Sequence, residues 1–292
     1  MLAALSTACG DADNDGNNDG SPTQPIDGGG DGGDGGGSDG GSGDDGDGGG
    51  SGGTDEAEPN DTQADATVFP PDSDVATGRI DAGDDTDYFS FSIDAPARVR
   101  IFTENDSEAC TGLDTVLDLE GSDGTVLASN DDGGGGLCSR IEHLLFGGVY
   151  FIRVRSLFDT TGDYALNLSI DALAAEAEPN DTQTDATLIS AETGQIAGSL
   201  SSSTDLDYFG FSLDAAGTVS IRTDDGMGGC AVDTFLTLED GAGNLVESDD
   251  DDGVEVCSSI ERPLDSGTYR VLVEGFSELS IGPYVLSVSG LD

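Results

Sequence analysis

Asp87-Tyr88-Phe89-Ser90-Phe91-Ser92-Ile93 alternates apolar Phe89, Phe91 and Ile93 with Tyr88, Ser90 and Ser92. That period of two is the signature of a β-strand buried on one face. The stretch returns as Asp207-Tyr208-Phe209-Gly210-Phe211-Ser212-Leu213, 120 residues later. Working outward, Glu56-Ala57-Glu58-Pro59-Asn60-Asp61-Thr62-Gln63 returns as Glu176 to Gln183 with the same shift. Asp114-Thr115 returns as Asp233-Thr234, one residue short, and Gly148-Val149-Tyr150 as Gly267-Thr268-Tyr269. A period near 120 residues is domain-sized, so the chain holds one module twice.

Each module reads as all-β. Val99 and Ile101, Leu117 and Leu119, and Tyr150, Ile152 and Val154 give further alternating strands. Leu166, Leu168 and Ile170 close the first copy, as Tyr284, Leu286 and Val288 close the second. Gly121-Ser122-Asp123-Gly124 and Gly241-Ala242-Gly243-Asn244 are turn signals between them. Roughly seven to nine strands in about 115 residues predict two tandem antiparallel β-sandwiches. They occupy residues 56–170 and 176–292, joined by the short linker 171–175, whose length should restrict relative motion.

The N-terminal part is different in kind. Residues 10–54 contain no basic residue and only two apolar ones, Ala12 and Ile26, and the first 54 residues hold 20 of the 46 glycines. Such a segment cannot bury enough apolar surface to offset its ordering entropy. Residues 10–55 are therefore read as a disordered, acidic, Gly-rich linker, spanning roughly 37 Å root-mean-square. Residues 1–9 form a truncated segment resembling the tail of a bacterial lipoprotein signal peptide, with Cys9 as the lipidated residue and small residues before it. Ser6 stands where a leucine-like residue is usual, with Leu5 one place early. The competing reading is a disordered terminus with a free thiol.

With 9 basic and 60 acidic residues the net charge is −51; all nine bases are arginines and His143 is the only histidine. A surface this acidic repels phosphate backbones, so nucleic acid is excluded as a partner, and membrane contact is expected only through a lipid at Cys9. The single histidine removes most His-based nucleophile and metal-hydrolase schemes.

Cys110 and Cys138 fall in the first copy and Cys230 and Cys257 at equivalent places in the second, leaving Cys9 over. An exported chain would oxidise such pairs. Buried free thiols or a soft metal site are the alternatives, and two cysteines per module without partnering histidines make zinc a poor fit.

The chemistry lies in the acidic clusters. Glu56 and Glu58 are two residues apart, so an extended backbone points both carboxylates the same way. Pro59 biases Glu58 toward that conformation. Asn60 and Asp61 add an amide oxygen and a third carboxylate, and Asp84 and Asp87 stand just before the Phe89 strand. Gathered together, these groups repel unless a hard cation neutralises them. Calcium suits six to eight oxygen ligands, with magnesium second. The opposing reading is an N-capped turn beside a solvated acidic edge.

E-x-E-P-N-D-T, the D-Y-F and D-T-x-L strands, the D-D loop and the closing G-x-Y strand together resemble the bacterial pre-peptidase C-terminal domain. The resemblance covers Glu56–Ile170 and Glu176–Gly290. Related domains include the collagen-binding modules of bacterial collagenases, jelly-roll-like sandwiches that bind calcium near their N-terminal segment. The resemblance implies Glu56, Glu58, Asn60, Asp61, Asp84 and Asp87 as calcium ligands, with a carbonyl from Arg79. In the second copy it implies Glu176, Glu178, Asn180, Asp181 and Asp207, where Thr204 replaces the counterpart of Asp84 unless Asp205 substitutes. The tyrosines of collagen-binding members are not matched: Arg155 and Leu157, then Glu274 and Phe276, hold those positions. Collagen is therefore not implied.

Asn130-Asp131-Asp132-Gly133 and Asp249–Asp252, with Asp114 and Asp233, read as polar turns in preference to a further calcium loop. Asp11-Ala12-Asp13-Asn14-Asp15-Gly16 begins like an EF-hand loop, but Pro22 stands where the bidentate glutamate belongs. The expectation is a monomeric, non-catalytic, exported lipoprotein at the cell surface or outer membrane, otherwise secreted. Its two calcium-stabilised sandwiches would bind an extracellular protein or polysaccharide. An inert surface spacer and a carboxylate hydrolase are the alternatives.

Overall fold

The computed structural model describes residues 54–69, 73–105 and 110–291. Cys9, the signal-like segment 1–9, the Asp11–Gly16 stretch and the linker as far as residue 53 lie outside the described residues. Among the described residues there is no helix, and so none long and apolar enough to cross a membrane.

The first module contains β1 (Thr54–Asp55), β2 (Thr67–Val68), β3 (Val75–Ile80), β4 (Thr86–Ile93), β5 (Ala97–Glu104), β6 (Thr115–Gly121), β7 (Val126–Asn130), β8 (Arg140–Leu145), β9 (Gly148–Ser156) and β10 (Gly162–Ala172). The second contains β11 (Thr187–Leu188), β12 (Gln195–Leu200), β13 (Asp207–Leu213), β14 (Gly217–Asp224), β15 (Thr234–Asp240), β16 (Leu245–Asp249), β17 (Ser259–Leu264), β18 (Gly267–Gly275) and β19 (Gly282–Ser289). Each module is a sandwich of two sheets. Their strand orders are β1-β3-β10-β5-β8 over β2-β4-β9-β6-β7, and β12-β19-β14-β17 over β11-β13-β18-β15-β16. The topology is duplicated strand for strand, with an isolated Ala175–Ala197 bridge standing where β1 pairs with β3.

The sheets are antiparallel except at their edges, where β1 pairs parallel with β3, β2 with β4 and β11 with β13. These two-residue parallel strands carry the first module to ten strands, one above the range read from the sequence. Thr54 and Asp55, assigned to the linker, are the first of them.

The alternating pattern does what its period requires. Phe89, Phe91 and Ile93 face inward, with Phe89 fully buried against Ile80, Leu117, Ile152 and Leu166 in the first core. Phe209, Phe211 and Leu213 do the same in a second, separate core. Each such side chain contributes about 1.5–3 kcal/mol on leaving water. The β6–β7 and β15–β16 hairpins turn at Gly124 (φ 80°) and Gly243 (φ 83°), a left-handed conformation that glycine adopts without a Cβ clash.

Two readings need correction. Ile170 is 42% exposed, because β10 runs beyond the core to Ala172; Tyr164, two places before Leu166, is the inward residue instead. Asp171 and Ala172, read as linker, belong to β10, and the segment 171–175 is hydrogen-bonded. Leu173 N–H donates to Pro96 O, Ala174 O accepts from Ala197 N–H, and β10 pairs with β5 as far as Ala172. Across the same junction Arg98 donates from Nε to Gly226 O (2.5 Å) and from Nη1 to Gln195 Oε1 (3.1 Å). The four module cysteines form two disulfides, Cys110–Cys138 and Cys230–Cys257.

Candidate metal centre

The site forms where the N-terminal segment crosses one end of the sandwich. Phe89 points inward on β4, so Asp87, two residues earlier on the same face, points inward as well and is fully buried. It therefore lies within the strand rather than in the loop before it. From the opposite sheet Tyr164 of β10 reaches across, and its hydroxyl donates to Asp87 Oδ2 at 2.5 Å. The second module repeats this with Tyr284 and Asp207, also at 2.5 Å.

A glycine makes room for the tyrosine. Gly78 lies directly opposite Tyr164 in the β3–β10 register, and Gly198 opposite Tyr284 in β12–β19. A Cβ on Gly78 would lie 2.3 Å from the Tyr164 ring and hydroxyl and 2.7 Å from Glu56 Oε2; at Gly198 the distances are 2.5 Å to Tyr284 and 3.0 Å to Glu176 Oε2.

The N-terminal segment is fixed to the β3 edge by its backbone. Glu56 N–H donates to Thr77 O (2.9 Å), and Glu56 Oε1 accepts from Arg79 N–H (2.7 Å). In the second module Glu176 N–H donates to Ala197 O (3.0 Å), and its Oε1 accepts from Ser199 N–H (2.6 Å). The Glu58–Pro59 and Glu178–Pro179 peptides are both cis. Beyond them Glu58 Oε2 accepts from Asn60 N–H and Glu178 Oε2 from Asn180 N–H. Asn60 O and Asn180 O accept from Tyr88 and Tyr208 N–H, placing both asparagine side chains in the interior, fully buried.

The result is one group per module: Glu56, Glu58 and Asp87, and Glu176, Glu178 and Asp207. Each residue offers a carboxylate oxygen, and within a group these oxygens lie within 4.8 Å of one another. Burial pushes Asp87 up to about 9, helped by the negative charges of Glu56 and Asp85. Asp207 is pushed up to about 8 by burial and by Glu176 and Asp205. Glu176 rises to about 7, mainly through burial with Glu178 adding repulsion, and Glu56 is raised for the same reasons. Burial and the adjacent aspartate drive Tyr164 and Tyr284 upward, so both hydroxyls remain donors. Asp87 Oδ1, Asp207 Oδ1, both side-chain polar atoms of Asn60, and Asn180 Oδ1 are buried with no hydrogen-bond partner. Unpaired buried polar atoms carry a free-energy cost.

Of the remaining sequence candidates, Asp61, Asp181 and Asp84 are exposed and outside these groups. In the β3–β4 turn it is Asp85, half-buried, whose charge reaches Asp87; Asp205 is its equivalent. Thr204 in place of Asp84 thus removes no member of the second group. Arg79 engages through its N–H, while its guanidinium pairs with Asp81 and Asp163. Tyr164, Gly78 and Gly198 were not singled out from the sequence, although the 120-residue repeat marks all of them.

The chain is therefore a tandem β-sandwich protein with a group of three carboxylates at one end of each sandwich. Residues 85–156 and 205–275 match the family model of the bacterial pre-peptidase C-terminal domain, and both sandwiches belong to that family. The matched ranges include Asp87 and Asp207 and begin after the Glu-x-Glu segments. No curated protein matches the chain. Among solved structures, the pre-peptidase C-terminal domain of Bacillus anthracis collagenase is 18% identical, with 39% of this chain and 100% of that one covered and a TM-score of 0.31. The CUB1-EGF-CUB2 region of human MASP-1/3 is 12% identical (73% and 99% covered, TM-score 0.23). Tripeptidyl peptidase 2 is 10% identical (77% and 24% covered, TM-score 0.24). Scores this low carry no argument; the fold rests on the strand pairing described above.

Proposed function

We propose that the protein is a non-catalytic, exported surface lipoprotein whose two sandwiches are each locked by a calcium ion and bind an extracellular protein or polysaccharide. The observation that carries the calcium reading is that in both modules three carboxylates come together beside a buried asparagine whose Oδ1 has no hydrogen-bond partner. That donor set is all oxygen, carries more negative charge than the pocket can hold alone, and suits calcium. Glu56 and Glu58 belong to the entering segment, Asp87 to one sheet and Tyr164 to the other, so an ion here ties the N-terminal strand to the sandwich. The group serves structure rather than turnover: its only buried tyrosine donates to the aspartate, and the module offers no histidine at the site. Membership of the bacterial pre-peptidase C-terminal domain family supports export, and Cys9 supports a lipid anchor followed by a tether.

The test is calorimetric titration of the full chain with calcium, alongside Glu58→Ala, Glu178→Ala and the double variant. Expected are a raised melting temperature with calcium and stepwise loss of that rise. No heat and no thermal shift at about 1 mM calcium, the range in which extracellular calcium modules work, ends the reading. Partition of the native protein into the membrane fraction, lost on Cys9→Ser, tests the anchor.

A further inference from the structure

One short turn of the second sandwich, residues 225–229, receives the first sandwich, and it ends on a disulfide. Arg98 Nε donates to Gly226 O across the junction. Gly226, at φ 84°, brings its backbone against β8: a Cβ there would lie 3.4 Å from Leu144 Cβ and 3.3 Å from Val285 Cγ2. Leu144 pairs with Arg98 in the β5–β8 register, as Pro263 pairs with Thr218 in β14–β17. Leu144 is 8% exposed whereas Pro263 and Thr218 are open to solvent, so the second module is what covers Leu144. The turn is shaped from both ends. Asp224 Oδ1 accepts from Gly226 N–H (2.6 Å), Asp225 Oδ1 accepts from Met227 and Gly229 N–H (2.8 and 2.9 Å), and Asp225 N–H donates to Gly229 O (3.0 Å). Cys230 follows at once, bonded to Cys257, whose Sγ lies 4.0 Å from Gly229 O. Of the four bridged cysteines, Cys110, Cys138 and Cys257 are 1%, 2% and 1% exposed, and Cys230 alone is half-buried. Leu144 lies about 20 Å along β8 from Cys138, at 3.4 Å per residue, so the first disulfide sits at the other end of the strands that meet the junction.

We propose that the Cys230–Cys257 disulfide is a thiol-sensitive latch on the module junction. Closed, it holds the 225–229 turn in the shape that seats Arg98 and Leu144; opened, it lets the two sandwiches part while each keeps its own separate core. Thiol–disulfide exchange needs a sulfur that the attacking thiolate can reach, and Cys230 supplies it. A small dithiol attacks Cys230 Sγ, forming a mixed disulfide and expelling Cys257 as its thiolate. The second sulfur of the dithiol then displaces Cys230. Two electrons pass to the protein, both cysteines take up a proton, and the dithiol leaves as its cyclic disulfide. The Cys110–Cys138 bond, buried at both sulfurs' residues, gives no such entry. The latch involves no bound ion, so it stands apart from the calcium reading.

The experiment treats the full native chain with dithiothreitol without denaturant, quenches with iodoacetamide and maps the labelled cysteines by mass spectrometry. Cys230 and Cys257 are expected to label at least tenfold faster than Cys110 and Cys138. Small-angle X-ray scattering then compares maximum dimensions of full-length variants, with circular dichroism to show that their strands are retained. Cys230→Ser with Cys257→Ser should be larger than the native protein, as should Arg98→Ala with both disulfides intact, while Cys110→Ser with Cys138→Ser keeps the native size. A folded Cys230→Ser, Cys257→Ser protein of native size overturns the latch, and equal expansion of the Cys110→Ser, Cys138→Ser protein overturns its assignment to the second bridge. Should the second module unfold in the serine pair, the labelling order decides alone: equal rates, or Cys110–Cys138 opening first, overturn it.

Discussion

Replacing Asp87 and Asp207 together by asparagine separates the cation reading from a purely structural one. Without a metal, burial holds Asp87 protonated up to about 9 and Asp207 up to about 8, against 3.8 for an ordinary aspartate. The folded state then binds a proton that the unfolded chain has already released, so stability must fall as pH rises through that window. From pH 3.8 to 7, at ~1.4 kcal/mol per pH unit, the loss is at most about 4 kcal/mol per module. That is a large fraction of a domain's total stability of about 5–15 kcal/mol. Below pH 3.8 both states are protonated and the slope vanishes; above about 9 both are ionised and it vanishes again. Asparagine keeps an acceptor for the Tyr164 hydroxyl and places an amide where Asp87 Oδ1 has no partner, without a titrating proton. The assay is urea unfolding at pH 5 and pH 8, in chelator and in about 1 mM calcium. Native protein in chelator should be several kcal/mol weaker at pH 8, and calcium should abolish the difference and bind more tightly as pH rises. The variant should show a much flatter profile and no calcium response. The general repulsion of a chain carrying −51 charges acts on both proteins and cancels in the comparison. Equal stability of the native protein at the two pH values in chelator would mean that these carboxylates are solvated, and the argument would fail.

Gly78→Ala or Gly198→Ala should reduce calcium affinity of the corresponding module more than tenfold by calorimetry, since the new Cβ displaces the tyrosine and reaches the first glutamate; the overpacking itself costs about 1–3 kcal/mol. Tyr164→Phe leaves Asp87 Oδ2 without its donor and should cost about 1–3 kcal/mol in chelator, measured by urea unfolding. Opening Cys110–Cys138 by Cys→Ser substitution should cost ~3.5 kcal/mol by the chain-entropy model for a separation of 28 residues, read as a lower melting temperature. Arg98→Ala removes the hydrogen bonds to Gly226 and Gln195 and should split a shared thermal transition into two in calorimetry, one per module.

The repeat and the period-two alternation made the architecture legible, because both are local properties of the chain. Glu56, Glu58, Asp87 and their copies were legible as an acidic set on the same grounds. Asp87 itself was readable one step further: an inward Phe89 requires an inward residue two places back, so the aspartate is buried rather than in a loop. Tyr164 and Gly78 were not legible, since what joins them is cross-strand register between segments 86 residues apart, which no periodicity reports. The choice of Asp85 over Asp84 depends on which side of a four-residue turn faces the core; Asp85 Oδ2 accepts from Asp81 N–H and is folded inward by that bond. The ends of strands are equally non-local, as Ile170 shows: its alternation is correct, but the core stops before it does.

What the duplication kept and what it let drift then bears on how the modules are used. The inward end retains two glutamates, asparagine, aspartate, tyrosine and glycine in both copies. The outer face of the β6–β9 pair has diverged: Arg153 and Arg155 contact Asp118, and Arg153 also Glu120, in the first module. In the second, the paired positions of Asp118 and Arg153 are Thr237 and Leu272, an uncharged contact. If the outer faces served one repeated ligand contact, they would be the part held constant, and the ion pair would recur. Instead the shared element lies at the end of the sandwich that receives the incoming chain, where its job is to fix the segment that precedes it. Under the proposed binding function, divergent faces beside a retained end let the two modules take different ligands, so loss of one module's outer face should leave the other's binding intact.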